Sequence, residues 1–302
     1  MSNKPRFSPY VQMVLATMLF ACMGVCVKLA SAHFGTAAVV SARGLVGAVM
    51  MAIIAWSSGS SLQTKVPMLH IKRGLAGVFA LSLWFYCIGT LPLATAVTLN
   101  YMSSVWLAVF MLIRSVVLGG GRVDKRLLMA IAVGFIGVAL VLHPTLAREQ
   151  ILAGVMGIAS GMLAAMAYVQ VTALGRAGEP EVRVVFYFSL TGTVLGALSW
   201  LIPGQTNPTA WPDIPLWAWA TLVGVGAFAT IAQLLMTRAY AQGNMLVNAS
   251  LQYLGIVHAS LLGMLLFGEH LSPDGVAGML LIIGAGIAST RLKPAADKAK
   301  TA

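Results

Sequence analysis

Charge is what this sequence has least of. Asp, Glu, Lys and Arg make up 9% of its 302 residues, against 59% hydrophobic. A soluble domain of that length needs far more charge to cover its surface, so a soluble globular protein is excluded. Cysteine is scarce as well. Cys22, Cys26 and Cys87 all lie inside apolar runs, which rules out an extracellular disulfide framework. Cys22 and Cys26 share a helix face at i, i+4 spacing, but no His or acidic residue lies near them, so packing is expected and no metal site. Proline is missing from the interior of every apolar run. There is no Gly-x-x-x-x-Gly-Lys-Ser/Thr loop, so ATP is not expected as the direct energy source. No cleavable signal peptide is expected, because the first apolar run is too long and lacks a small-residue cleavage pattern. No Asp or Glu lies deep in any run, which disfavours coupling through a buried carboxylate.

What is there is a succession of apolar stretches, near 10–31, 36–57, 72–91, 93–118, 125–143, 151–175, 183–202, 215–240, 244–268 and 273–290. About 20 residues at 1.5 Å each cross a hydrocarbon core of about 30 Å, so ten spans are expected with only short loops and tails between them. Prolines punctuate the same boundaries, among them Pro67, Pro92, Pro144, Pro180, Pro215 and Pro273. With the N-terminus placed in the cytoplasm, 15 of the 19 Lys and Arg fall in inner loops and tails, Lys72 and Arg73 among them. Only Arg148 falls outside, and Lys28, Arg43 and Arg114 lie within spans. The positive-inside rule then puts both termini on the cytoplasmic face of the cell inner (plasma) membrane. The net charge of +11 is spread over these loops and forms no basic stripe, so no nucleic-acid partner is expected.

The two halves resemble each other. Asn100-Tyr101 aligns with Gln252-Tyr253 at an offset of 152 residues, and Asp124, Met129 and Gly134 align with Asp274, Met279 and Gly284 at an offset of 150. Five helices per half is an odd number, so the second copy must enter the membrane from the opposite side. The expected fold is therefore all-α, with ten transmembrane helices in two inverted five-helix repeats around a central cavity. Residues 10–143 form the first repeat, 151–290 the second, and 1–9 and 291–302 are cytoplasmic tails. Gly157-x-x-x-Gly161 and the glycines of the short fifth and tenth spans (Gly134, Gly137, Gly278, Gly284) are expected at close helix contacts, as a scaffold or a dimer face, so the chain is a monomer or a homodimer.

Polar groups within spans each ask for a reason. Lys28 either snorkels to the outer interface or attracts an anionic solute. Arg43 lies seven residues into its span, about 10 Å deep, where it pairs with backbone carbonyls or binds a carboxylate through its planar fork. Arg114 is expected as an interface anchor. His258 is either hydrogen-bonded to a neighbouring helix or lines a cavity as a titrating group. The fourth and ninth spans hold equivalent repeat positions and carry Asn100, Tyr101, Ser104 and Trp106 in one and Gln252, Tyr253 and His258 in the other. Trp84 and Tyr86 in the third, Tyr168 and Gln170 in the sixth and Gln233 in the eighth join them as candidate cavity residues. Aromatic walls with a few amides and hydroxyls suit an amphiphilic solute the size of an amino acid.

The stretches Ala239-Tyr240-Ala241-Gln242-Gly243, Leu251-Gln252-Tyr253-Leu254 and Leu266-Phe267-Gly268-Glu269 resemble the EamA-type branch of the drug/metabolite transporter superfamily, and the likeness runs over nearly the whole chain. That resemblance implies a ten-helix basket around a central cavity and the carriage of amino acids and other small metabolites, commonly outward. It marks Gly268 and Glu269 as family positions; Glu269 also reads as a cap near the next helix start. In the first half Gly119 stands about where a second Glu belongs to the pattern. A secondary transporter exporting a small amphiphilic metabolite by alternating access is expected, without cofactor or metal. Uptake of a nucleoside, a vitamin or an S-adenosylmethionine-like solute is the alternative. A membrane-embedded enzyme is a third reading, for which no acid–base constellation is visible.

Overall fold

The computed structural model describes residues 8–91, 93–117, 124–142, 150–199, 201, 210–268, 270 and 272–291. Glu269 of the family motif lies outside them. Among the described residues all regular structure is helical. It comprises α1 (Pro9–Ala30), α2 (Thr36–Ser57), α3 (Pro67–Thr90), α4 (Leu93–Tyr101), α5 (Ser103–Val117), α6 (Lys125–Leu142), α7 (Ile151–Arg176), α8 (Glu181–Ser199), α9 (Leu216–Gln242), α10 (Met245–Gln252), α11 (Leu254–Phe267) and α12 (Pro273–Arg291). A 3-10 turn, Trp211–Asp213, precedes α9.

Local chemistry explains where the helices begin and end. Ser8 caps α1 by accepting from the Val11 amide at 3.3 Å, and Pro9 fills the first helical position, where no N–H is needed. Asp124 accepts from the Arg126 amide at the start of α6, and Ser272 from the Gly275 amide at the start of α12. The α11 helix stops at Gly268, whose φ of 64° is left-handed and strained for any side chain.

Nine stretches among the described residues are long and apolar enough to cross a membrane. Two of them, Val97–Ser115 and Met245–Phe267, join α4 to α5 and α10 to α11. The surface agrees with that reading: Trp56, Val117, Leu201, Leu216 and Leu265 are among many large apolar side chains left exposed, a coat that lipid covers and water does not.

Three sequence expectations need correction. The fourth and ninth runs are not continuous helices. Met102 N bonds both Thr98 O and Leu99 O, and Tyr253 N bonds Ser250 O, so the ladder tightens from i−4 towards i−3 at each break. The third helix starts at Pro67 rather than near 72, which carries Lys72 and Arg73 out of the loop and into the helix. Gly284 has open space where a Cβ would stand, so it is no close contact.

The bundle is built from long helix pairs: α1 along α9, α2 along α8, α3 along α7 and α6 along α12. Small residues set their separation. A Cβ on either Gly137 or Gly278 would meet the other's carbonyl oxygen at 2.6 Å, so α6 and α12 touch backbone to backbone. A Cβ on Gly44 would stand 2.7 Å from Ser189 O, which fixes α2 against α8. Aromatics close the end where α1 turns into α2: Phe34 is buried edge-on to Trp219 at 5.0 Å, with Trp211 stacked on Trp219 at 5.8 Å.

Candidate functional site

The two broken helices meet at their breaks. Tyr101 and Tyr253, one at each, have ring centroids 6.2 Å apart, and Ser104 Oγ donates to Ala249 O at 2.8 Å across the junction. Tyr168 of α7 stacks on Tyr240 of α9 at 5.1 Å and 9°, and Gln252 Nε2 points to Met236 Sδ at 3.7 Å. Met13, Ala16, Leu107, Met236 and Ile256 pack round these rings in the largest buried cluster. Several polar atoms inside it have no hydrogen-bond partner among the described residues: Tyr240 Oη, Tyr253 Oη and Trp106 Nε1. An orphaned buried hydroxyl or indole N–H costs on the order of 1–3 kcal/mol, and such groups collect where a ligand supplies the missing partner.

Beside this aromatic group stand two arginines. Arg43 from α2 and Arg73 from α3 both face the Phe188 ring of α8, with guanidinium carbons 5.4 and 4.1 Å from its centroid. Arg73 is 3% exposed, and its Nε and Nη1 have no partner; Arg43 Nε is likewise buried and unpartnered. Gly77, one turn along α3, makes the room, because a Cβ there would collide with the Arg73 guanidinium and stand 2.9 Å from Phe188 Cε2.

At the end where α2 turns into α3, a buried carboxylate collects several donors. Glu179, following Gly178 at φ 75°, receives hydrogen bonds from His70 Nε2 (2.9 Å), Arg183 Nη1 (3.0 Å) and Thr64 Oγ1 (3.1 Å). Arg183 also donates to Ser61 O, and Tyr187 Oη to Leu62 O at 3.1 Å. Burial alone pushes the Glu179 carboxyl up. The hydrogen bonds from His70, Arg183 and Thr64, with the Arg183 charge, outweigh it and hold the carboxyl below the usual range. Arg238 pairs with Glu181 nearby.

The residues singled out from sequence divide accordingly. Tyr101, Ser104, Trp106, Tyr168, Gln252 and Tyr253 gather at the centre. Asn100 is turned to α7, donating to Ser160 Oγ at 3.4 Å, while Ser160 in turn donates to Ala80 O. Gln233 is buried within α9, and Trp84 is half-buried on α3. Tyr86, 45% exposed, stands on the outer face of α3 and does not join the group. His258 Nδ1 is 3.3 Å from Thr17 Oγ1 of α1, the hydrogen bond to a neighbouring helix. Lys28 lies exposed over the Phe267 ring at 3.9 Å. Arg73 and Tyr240 were not among the expected cavity residues. Tyr240 stood inside the family stretch, and Arg73 carried the same letter as a topology charge. No three His, Cys, Asp or Glu side chains cluster as metal ligands among the described residues.

The arrangement is that of a solute-handling membrane protein, and comparison with known proteins decides its kind. The EamA-like transporter family matches residues 8–143 and 151–290. The chain belongs to that family. It is similar to the pseudopaline exporter CntI of Pseudomonas aeruginosa (strain UCBPP-PA14), with 29% identity over 285 residues, covering 93% of this chain and 95% of that one. It is also similar to an S-adenosylmethionine uptake transporter of Rickettsia bellii, at 23% identity over 243 residues, 78% of this chain and 77% of that one. A solved crystal structure shares the fold, with a TM-score of 0.79 at 19% identity, covering 93% of this chain and 96% of that one. This EamA-like protein is therefore a multi-pass membrane transporter of the drug/metabolite type and not an enzyme.

Proposed function

We propose that this transporter exports a small amphiphilic metabolite, an amino acid or a related compound, by alternating access between two inverted five-helix repeats. The repeats would be residues 10–143 and 151–290, with α4–α5 and α10–α11 each counted as one span and α3 as the tenth. The pairing of helices supports this. Exchanging the first five spans for the second five turns the α1–α9 contact into the α7–α3 contact, and returns α2–α8 and α6–α12 to themselves. The basic bias of the loops supports an inner-membrane location with both termini cytoplasmic.

The observation that carries the reading is the central aromatic group with its orphaned Tyr240, Tyr253 and Trp106 polar atoms, at the junction of the two broken helices. Rings offer an apolar body of solute a surface, and unpaired hydroxyl and indole groups offer its polar end partners. Export is favoured by the greater likeness to the exporter; the uptake relative keeps inward movement of an S-adenosylmethionine-like solute as the second reading. Among the described residues no carboxylate lies deep within a span and His258 is held by Thr17, which favours exchange or facilitated diffusion. Purified protein in liposomes should move labelled amphiphilic amino acids unaltered, and Tyr253→Ala with Tyr240→Ala should slow them about tenfold or more. Solutes that never cross, or that emerge chemically changed, would end the proposal.

A further inference from the structure

The geometry points to a second, anionic subsite beside the aromatic centre: Arg43 and Arg73 together bind a solute that carries two carboxylates. This rests on the transport reading and narrows its substrate class. Two guanidinium groups facing one Phe188 ring repel each other; Arg73 is buried, and Arg43, half-buried overall, has its Nε out of reach of water. Buried charges of this kind are ordinarily paired. Here the ion pairs among the described residues are His70–Glu179, Arg183–Glu179 and Arg238–Glu181, and neither arginine belongs to one. Phe188 supplies cation–π attraction, which offsets only part of the lost hydration.

A carboxylate-bearing solute would supply the counter-charge that neither arginine finds in an ion pair among the described residues. Nε and Nη1 of Arg73 are both without a partner, as is Nε of Arg43, so each guanidinium keeps a buried N–H to offer a carboxylate oxygen. One carboxylate neutralises one of the two; a second neutralises the other and removes their mutual repulsion. The helices that carry the arginines pack on those that carry the Tyr168–Tyr240 stack, α3 along α7 and α2 against α9. The ligand that fits is thus an apolar or aromatic body bearing two carboxylates. Gly77 belongs to the same device, for its bare Cα lets the Arg73 fork lie against the ring.

The test uses purified full-length protein in nanodiscs of zwitterionic lipid, with N-benzoylglutamate and its near-isostere N-benzoylglutamine as probes. The diacid should bind about tenfold tighter or more, the value of one charge-assisted pair. Arg43→Gln and Arg73→Gln should each reduce that preference to about threefold or less while still binding the glutamine compound, and Arg73→Lys should restore part of it. Equal binding of the two probes to the wild type overturns the proposal. So does a folded wild type that binds neither, or Gln variants that gain thermal stability and keep the preference, since the arginines are then structural. A response to anionic lipid alone overturns it as well. Movement of a neutral or singly charged solute in liposomes, with the diacid indifferent, would sink this subsite and leave the transport reading standing.

Discussion

A single side chain can be read two ways in a membrane sequence, and Arg73 is the example. It follows Lys72 at the edge of an apolar run, so its letter looks like an inner-loop charge. The helix in fact begins five residues earlier, at Pro67, and draws Arg73 into the bundle. Its role depends on Gly77 four residues on and on Phe188 from a distant helix, a coincidence of packing that periodicity does not encode. Gly77→Ala should push the guanidinium off Phe188 and cost about 1–3 kcal/mol by overpacking, measured by thermal unfolding in detergent. His258 was legible as a polar residue deep in a span, though its partner was not. His258→Ala should lose the Thr17 contact, worth about 1 kcal/mol, and leave the pH profile of transport unchanged. A shifted profile would make it a titrating member of the cycle.

Among the elements, the turn between α9 and α10 shows how a family stretch acts. Asn244 accepts from the Leu246 and Val247 amides to start α10, and Asn248 Nδ2 donates to Ala239 O to finish α9. A Cβ on Gly243 would stand 2.8 Å from Ala239 O, so the chain between the caps has room only for glycine. Asn244→Ala should cost about 1 kcal/mol, seen as a lower unfolding midpoint with the helical signal otherwise intact. The stretch 239–243 was recognisable by resemblance, and its flanking caps follow from ordinary side-chain chemistry. The breaks at Met102 and Tyr253 were not recognisable. Neither has proline or glycine at the break itself, and apolar character runs straight through, so tertiary contacts set the fold of the ladder there. The sequence alignment of Tyr101 with Tyr253 did single out the two tyrosines that stand at the two breaks, so much of the central aromatic group of the candidate site was marked in the sequence.

For the molecule as a whole, composition made membrane residence plain, because almost no charge is available to meet water. Which helices lie together was not readable, since α1–α9, α2–α8 and α6–α12 are contacts between distant parts of the chain and depend on small residues that occur in every span. Reporter fusions at the two ends should both respond on the cytoplasmic side; opposite responses would remove the inverted threading. The buried carboxylate of Glu179 joins the α2–α3 and α7–α8 connections. Its folded-state pKa is depressed, so its contribution is fully present above the unfolded value of about 4.3 and fades as pH falls through the lower folded one. Glu179→Gln should therefore lower stability by about 1–3 kcal/mol near neutrality, with the gap to wild type closing in acid.

The way Arg183 and Tyr187 grip the carbonyls of Ser61 and Leu62 has a practical consequence. The backbone on the N-terminal side of exposed Lys65 is tied down on a neighbouring helix, and a protease needs slack chain to seat a cleavage site. Trypsin should thus cut slowly after Lys65 in wild type and quickly in Glu179→Gln. Any solute that speeds or slows that nick would report, on an ordinary gel, that it has loosened or tightened the α2–α3 connection.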